Sequence, residues 1–296
     1  MKRWLWQNDP RLYQNVVLAL LLLYGILRLD FAVSLPYAAA ILATVLLTQA
    51  VCTRLWQVPV FDPRSALISG LSLCLLLRTN VIWYAIVTAV ITIASKFVLQ
   101  WRGKHLFNPT NFGLVIMLLL WRDQVWVSSG QWGSTAIAAF FFAGLGGMVV
   151  YRAERSDVTY AFLAWYVALQ VERALWLGDP LTIPLHRVQN GALLLFAFFM
   201  ISDPKTTPDS RTGRVLFAGL VALTAAYIQF RLYRSNALLW ALAGGSVVVP
   251  LIDALLPGPR YRWQRAIAPA RLAAPGVTPS ATAAAAAANA APADRC

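Results

Sequence analysis

Long apolar runs alternate with short polar interruptions along this chain, and about 20 apolar residues is what one helical crossing of a bilayer requires. Ten runs stand near 15–34, 36–53, 65–78, 81–100, 111–121, 134–151, 158–177, 188–201, 214–233 and 237–256, with the third, fifth and eighth unusually short. They are too long for strands and do not alternate, which rules out a barrel and predicts an all-α integral membrane protein of about ten transmembrane helices. Pro36, Pro63, Pro109, Pro180, Pro184 and Pro204 lie in or at the edges of the gaps, where a missing N–H costs least.

Two interruptions carry more polar chemistry than a turn needs. Ser202-Asp203-Pro204-Lys205-Thr206-Thr207-Pro208-Asp209 stops one apolar run dead, and Lys104-His105-Leu106-Phe107-Asn108-Pro109-Thr110-Asn111-Phe112-Gly113 does the same in the first half. Polar loops near lipid are costly, so both are candidate sites. For the Ser202–Asp209 loop two readings are open. Ser202, Thr206, Thr207 and backbone amides at a helix end could hold a phosphate or other anion beside Lys205 and Arg211, or Asp203 or Asp209 could cap the next helix. Asn108 and Asn111 likewise either bond carbonyls freed by Pro109 or face a ligand.

The two halves look alike at an offset of about 126 to 128 residues: Ser65 to Asn80 matches Asn190 onward, and Leu106 to Leu114 lines up with Arg234 to Trp240. Five spans per half is odd, so the second half is expected upside down relative to the first. The predicted organisation is a cytoplasmic N-terminus over 1–14, inverted five-helix repeats over 15–127 and 128–256, and a disordered Ala- and Pro-rich tail over 257–296.

Composition fits a membrane protein: 59% hydrophobic and 12% charged residues leave too little polar surface for a soluble domain. No cleavable signal pattern precedes the first span, which is expected to insert the chain itself. The net charge of +13 is scattered one to three residues per loop, so a nucleic-acid partner is not expected. Eighteen of the 25 Lys and Arg fall on the side of the N-terminus and seven opposite, which places both termini in the cytoplasm and the chain in the cell's inner (plasma) membrane. Cys52, Cys74 and Cys296 are too sparse for a disulfide framework, and His105 and His186 lack neighbours at ligand spacing, so no metal is expected. Charged residues within spans are few: Asp30, Glu172 and Asp253 lie near span ends, and Lys96 can snorkel. Trp4, Trp6, Trp56, Trp101, Trp121, Trp126 and Trp176 fall where an interfacial belt is expected.

The pairing of Phe107-Asn108-Pro109 with the Phe-Phe-Met-x-x-Asp-Pro break at Phe198 to Pro204 resembles the family of the D subunit of the Rnf electron-transport complex and the B subunit of the sodium-pumping NADH:quinone oxidoreductase. The resemblance covers roughly 60–256. It implies two inverted five-helix halves, a flavin bound on or within the membrane, other membrane redox subunits as partners, and electron transfer coupled to Na⁺ or H⁺ movement. The family links FMN to a threonine in a Ser-Gly-Ala-Thr loop; here Ser129-Gly130 is followed by Gln131, and a shifted alignment through Gly133-Ser134-Thr135 nominates Thr135. The shorter loop favours a member that has lost the attachment, with FMN or another flavin held non-covalently or flavoprotein partners docked instead. Short standalone UnbU-type relatives are similar in size and in this reduced loop. The scarcity of acids within spans implies that pumping is done by partners or does not happen. A small-solute channel or carrier with the inverted architecture of urea transporters, or a non-redox assembly subunit, are the alternatives.

Overall fold

The computed structural model describes residues 9–29, 31, 33–128 and 145–261. Thr135, Asp30 and most of the tail from 257 onward therefore lie outside the described residues, as does most of the expected span 134–151, of which 145–151 are helical. The described residues are mostly helical. The helices are α1 (Pro10–Arg28), α2 (Leu35–Leu55), α3 (Pro63–Leu76), α4 (Ile82–Val98), α5 (Pro109–Leu120), α6 (Ser156–Leu177), α7 (Thr182–Val188), α8 (Gly191–Leu195), α9 (Arg211–Phe230) and α10 (Ala237–Leu255). A π-helical turn, Phe196–Met200, prolongs α8.

Four helices open on the same local chemistry. Asp9, Ser34, Asp62 and Asn108 each cap a first turn with a side-chain oxygen, and each is followed within two residues by proline. A capping acceptor satisfies one orphan N–H, while proline has none to satisfy and brings a helical φ. α1 consequently begins five residues before the apolar run near 15, because its first turn is polar but capped.

α1, α2, α9 and α10 are long and apolar enough to cross a membrane, and α3, α4, α5 and the α8–π segment are shorter apolar helices. The protein is a helical membrane protein. Leu20, Leu27, Leu47, Leu119, Leu216 and Leu251 stay exposed on the outer faces, where lipid takes the place of a protein core. Inside, α2 packs on α4 and α4 on α5; later in the chain α6 packs on α9 and α9 on α10. α5 meets α10 and so joins the two parts. Trp56, Trp101, Trp126 and Trp176 are exposed.

The all-α expectation needs one correction. Strand β1 (Leu77–Thr79) pairs antiparallel with β4 (Val125–Val127), and β2 (Gln100–Trp101) pairs with β3 (Lys104–His105). β1 follows directly from a helix that stops among buried residues, so its backbone must find partners within the protein; β4 supplies them, and the Ser128 N–H adds a bond to the Leu76 carbonyl. Three-residue strands leave no readable alternation, which is why the sequence pattern misses them.

α4 and α5 approach closely at Gly113. A Cβ there would stand 2.0 Å from Thr92 Oγ1 and 3.3 Å from the Thr88 carbonyl oxygen. Gly113→Ala is expected to destabilise the protein by about 1–3 kcal/mol through overpacking. Adding Thr92→Ala, which removes a buried hydroxyl without a hydrogen-bond partner among the described residues, should restore much of the loss. Thermal unfolding followed by tryptophan fluorescence tests this; a double variant no more stable than Gly113→Ala would refute the contact as the cause.

Candidate functional site

The two polar breaks meet. Asn108 caps α5 by accepting the Asn111 N–H at 3.0 Å, and its Nδ2 donates to the Met200 carbonyl and to Asp203 Oδ2, each at 3.3 Å. One buried amide thereby fastens the start of α5 to the end of the π-helical turn.

A π turn shifts its carbonyls out of the regular ladder, and side chains take them up here. Thr159 donates to the Ala197 carbonyl at 2.9 Å, Ser202 to that of Phe198 at 2.6 Å, and Asn108 to that of Met200. The chain then turns on Asp203. Its Oδ1 accepts the Lys205 N–H, while its carbonyl accepts the N–H groups and hydroxyls of Thr206 and Thr207. Thr207 Oγ1 also accepts from Arg155 Nε at 3.1 Å. These bonds favour the self-capped loop over an anion cradle. The cap of α9 itself is Ser210, rather than Asp203 or Asp209, and Asp209 instead donates its N–H to Asp253.

Beside this junction lies a cavity of about 110 Å³. Asn108, Ser202 and Asp203 line it, whereas Thr206, Thr207 and Asn111 are not among its lining residues. Asn111 is fully buried and reaches across to α10, donating to the Leu239 carbonyl at 3.1 Å. The cavity adds residues that sequence reasoning passed over as site groups: Gln49, Lys96, His105 and the aromatic Phe198 and Phe199. Lys96 does not snorkel. It is 5% exposed, and its Nζ donates to Gln49 Oε1 at 3.1 Å. A lysine inside an apolar run was the available signal; Gln49, one polar residue in α2, gave none.

The surrounding face is dense in ion pairs. Asp9, Arg11, Asp62 and Arg64 form a network between the starts of α1 and α3, and the arginines hold the Asp9 carboxyl below its usual range although burial pushes it up. Lys104 bridges Asp209 at 3.0 Å and Asp253 at 2.6 Å, and Arg214 pairs with Asp157. Asp253 is therefore an end-of-helix tie. In the cavity wall, burial raises the Asp203 carboxyl against the pull of the Lys205 N–H and nearby cations. Burial, with Lys96 and Lys205 adding repulsion, lowers His105 to about 3; its Nδ1 is enclosed without a partner among the described residues.

Fold and site define a polytopic helical membrane protein whose broken helices converge on a polar, cation-bearing cavity near one end of the bundle. Residues 128–261 match the NQR2, RnfD, RnfE family. It is similar to the D subunit of the ion-translocating oxidoreductase complex of Citrobacter koseri, 25% identical over 133 residues, and to that of Escherichia coli O1:K1, 26% identical over 133 residues. These alignments cover 45% of this chain and 34% of each relative, so the chain spans about a third of the length of the curated relatives it matches. The protein is thus a membrane protein related to the Rnf and NQR complexes. The Asp203 break lies within the matched stretch and Asn108 outside it.

His105 gives a pH signature. Its folded value of about 3 lies below its ordinary 6.5, so the folded state binds fewer protons between them. Its contribution is complete above pH 6.5 and is lost as pH falls toward 3, by at most about 1.4 kcal/mol per pH unit. Asp203, raised instead, works in the opposite sense, losing its contribution as pH rises through its folded value. The comparison that isolates His105 is unfolding temperature against pH for wild type and His105→Gln. The variant should lose less stability between pH 6.5 and about 4.5, and parallel profiles would refute the assignment.

Proposed function

We propose that this protein is a membrane subunit of an Rnf/NQR-type electron-transport system that holds a flavin non-covalently in the cavity between Asn108 and Asp203. The observation that carries the reading is the two-sided character of that cavity. Phe198 and Phe199 offer an apolar wall, while Gln49, Lys96, His105 and Asn108 offer polar groups, and His105 Nδ1 is buried there with no partner among the described residues. An isoalloxazine ring has the matching division, with an apolar benzenoid end and a hydrogen-bonding pyrimidine edge.

At about 110 Å³ the cavity is smaller than an isoalloxazine ring system, so the ring would enter by its polar edge, with the residues in defined roles. Asn108 and Gln49 would orient the polar edge, and the aromatic pair would cover the ring and keep out water. The Lys96 ammonium would favour negative charge accumulating beside it, and a bound flavin would supply one- and two-electron transfer. Thr135 remains the candidate for covalent FMN attachment; Thr206 and Thr207, held by the Asp203 turn, would keep the cavity wall in shape.

The finer architecture of ten helices in two inverted halves, 15–127 and 128–256, belongs to the same proposal. It is supported by the repeated order of contacts, α2 with α4 and α4 with α5, then α6 with α9 and α9 with α10. Short α3 and α8 stand in corresponding places before β1 and the π turn. With most Lys and Arg on the Asp203 side, that side would be cytoplasmic and would receive partner subunits. Asp9, Asp62, Asp157, Asp209 and Asp253 are tied into ion pairs at that end, an arrangement that leaves coupled ion movement to partners.

Detergent-solubilised protein should show flavin absorbance that Asn108→Ala and Lys96→Met diminish, with the flavin released on denaturation. A fluorescent band on a denaturing gel, lost in Thr135→Ala, would replace non-covalent binding with covalent attachment. A colourless preparation that takes up neither FMN nor riboflavin would sink the flavin reading and favour a solute carrier or assembly subunit.

A further inference from the structure

The cavity between Asn108 and Asp203 also runs along α3. Ser65, Ile68, Ser69 and Ser72 all line it, and steps of three and four residues put them on one helical face. That face covers about 10 Å of the helix axis, beginning just inside the Asp62 cap.

The hydroxyls on this face are enclosed, and their hydrogen-bonding capacity is only partly used. Ser69 is 4% and Ser72 7% exposed. A serine inside a helix can return its hydroxyl to the carbonyl four residues back. Ser69 does so, donating to the Ser65 carbonyl at 3.3 Å, and keeps its acceptor lone pairs. Ser72 lines the cavity without a hydrogen-bond partner for its hydroxyl among the described residues. From α5, Thr110 lines the same cavity at 4% exposure, and its hydroxyl is likewise without a partner among the described residues. Gln49 gives its carbonyl oxygen to Lys96, which leaves its amide N–H groups for another acceptor.

Buried hydroxyls without partners carry a cost that a bound molecule can relieve. This face of α3 holds no charged side chain in the cavity wall, only serines with Ile68 between them. A hydroxyl both donates and accepts, so a row of serines pairs with a row of ligand hydroxyls in either sense, while the isoleucine meets C–H groups. The complementary chemistry is an uncharged polyol chain.

We propose that the α3 face from Ser65 to Ser72 is a subsite for a polyhydroxylated chain. The proposal rests on the flavin reading of the cavity, in which this face holds the ribityl chain while the polar edge of the ring meets Gln49 and Asn108.

Riboflavin and lumiflavin share one ring system, and lumiflavin has a methyl group in place of the ribityl chain. Each is titrated into detergent-solubilised protein freed of flavin, with binding read from the quenching of flavin fluorescence. Riboflavin should bind at least about tenfold more tightly than lumiflavin. Ser69→Ala combined with Ser72→Ala should weaken riboflavin about tenfold and leave lumiflavin within about twofold of wild type. Ser72→Ala alone should give a smaller loss of the same kind, which preserves the test if the double variant does not fold. Equal affinity for the two flavins, or an equal loss for both in the serine variants, overturns the subsite and leaves the ring's site standing. Binding of neither flavin overturns the flavin reading and the subsite together.

Discussion

A helix that breaks inside an apolar bundle leaves N–H and C=O groups that lipid cannot satisfy, and the arrangement of this protein follows from where it breaks and what meets the freed groups. At the π turn the partners are side chains from three places: Thr159 on α6, Ser202 just beyond the turn, and Asn108 at the head of α5. Asn108 carries the heaviest duty, because the same amide caps its own helix and bonds the other break. After α3 the partner is a strand, and β4 closes the ladder that β1 opens. Each solution ties segments far apart in sequence, so satisfying the backbone also fixes the tertiary structure.

The charge distribution follows the same logic. Asp9, Asp62, Asp157, Asp209 and Asp253 all meet arginine or lysine at the end of the bundle that holds the Asn108–Asp203 junction. Pairing there lets acidic groups approach the membrane without standing alone in it. Lys96 and Arg78 differ, since each sits inside the bundle at opposite ends of the α3–α4 unit. Lys96 has a glutamine oxygen and an open cavity, whereas Arg78 has carbonyls and an aromatic face. The cost of burying a cation is incurred at both ends.

Much of this was legible in the sequence because hydrophobic run length and proline position are direct consequences of bilayer thickness and backbone chemistry. The helices stand close to the apolar runs, and the Asn108 and Asp203 breaks were each recognisable as candidate sites by their excess of amides, hydroxyls and carboxylates. What was not legible depends on contacts across the fold. Gln49 is one polar residue in a long apolar run, and only the packing of α2 on α4 brings it to Lys96. His105 lacks any ligand-like neighbour in sequence, yet its loop places it beside the cavity. The short strands escaped because three residues cannot display a period.

The relation to the Rnf and NQR proteins runs through residues 128–261, but the cavity does not belong to that stretch alone. Asp203, Phe198 and Phe199 come from within it; Gln49, Lys96, His105 and Asn108 come from before it. Similarity to the Rnf and NQR proteins thus accounts for one wall, and the opposite wall is supplied by residues that those alignments do not reach. A cavity walled by both groups requires α5 and α10 to hold the two parts in register, and the Asn111 amide bonded to the Leu239 carbonyl provides a buried tie between them. The chemistry available in the cavity is therefore a property of that junction, set by how firmly two amides at the start of α5 hold the later half of the chain.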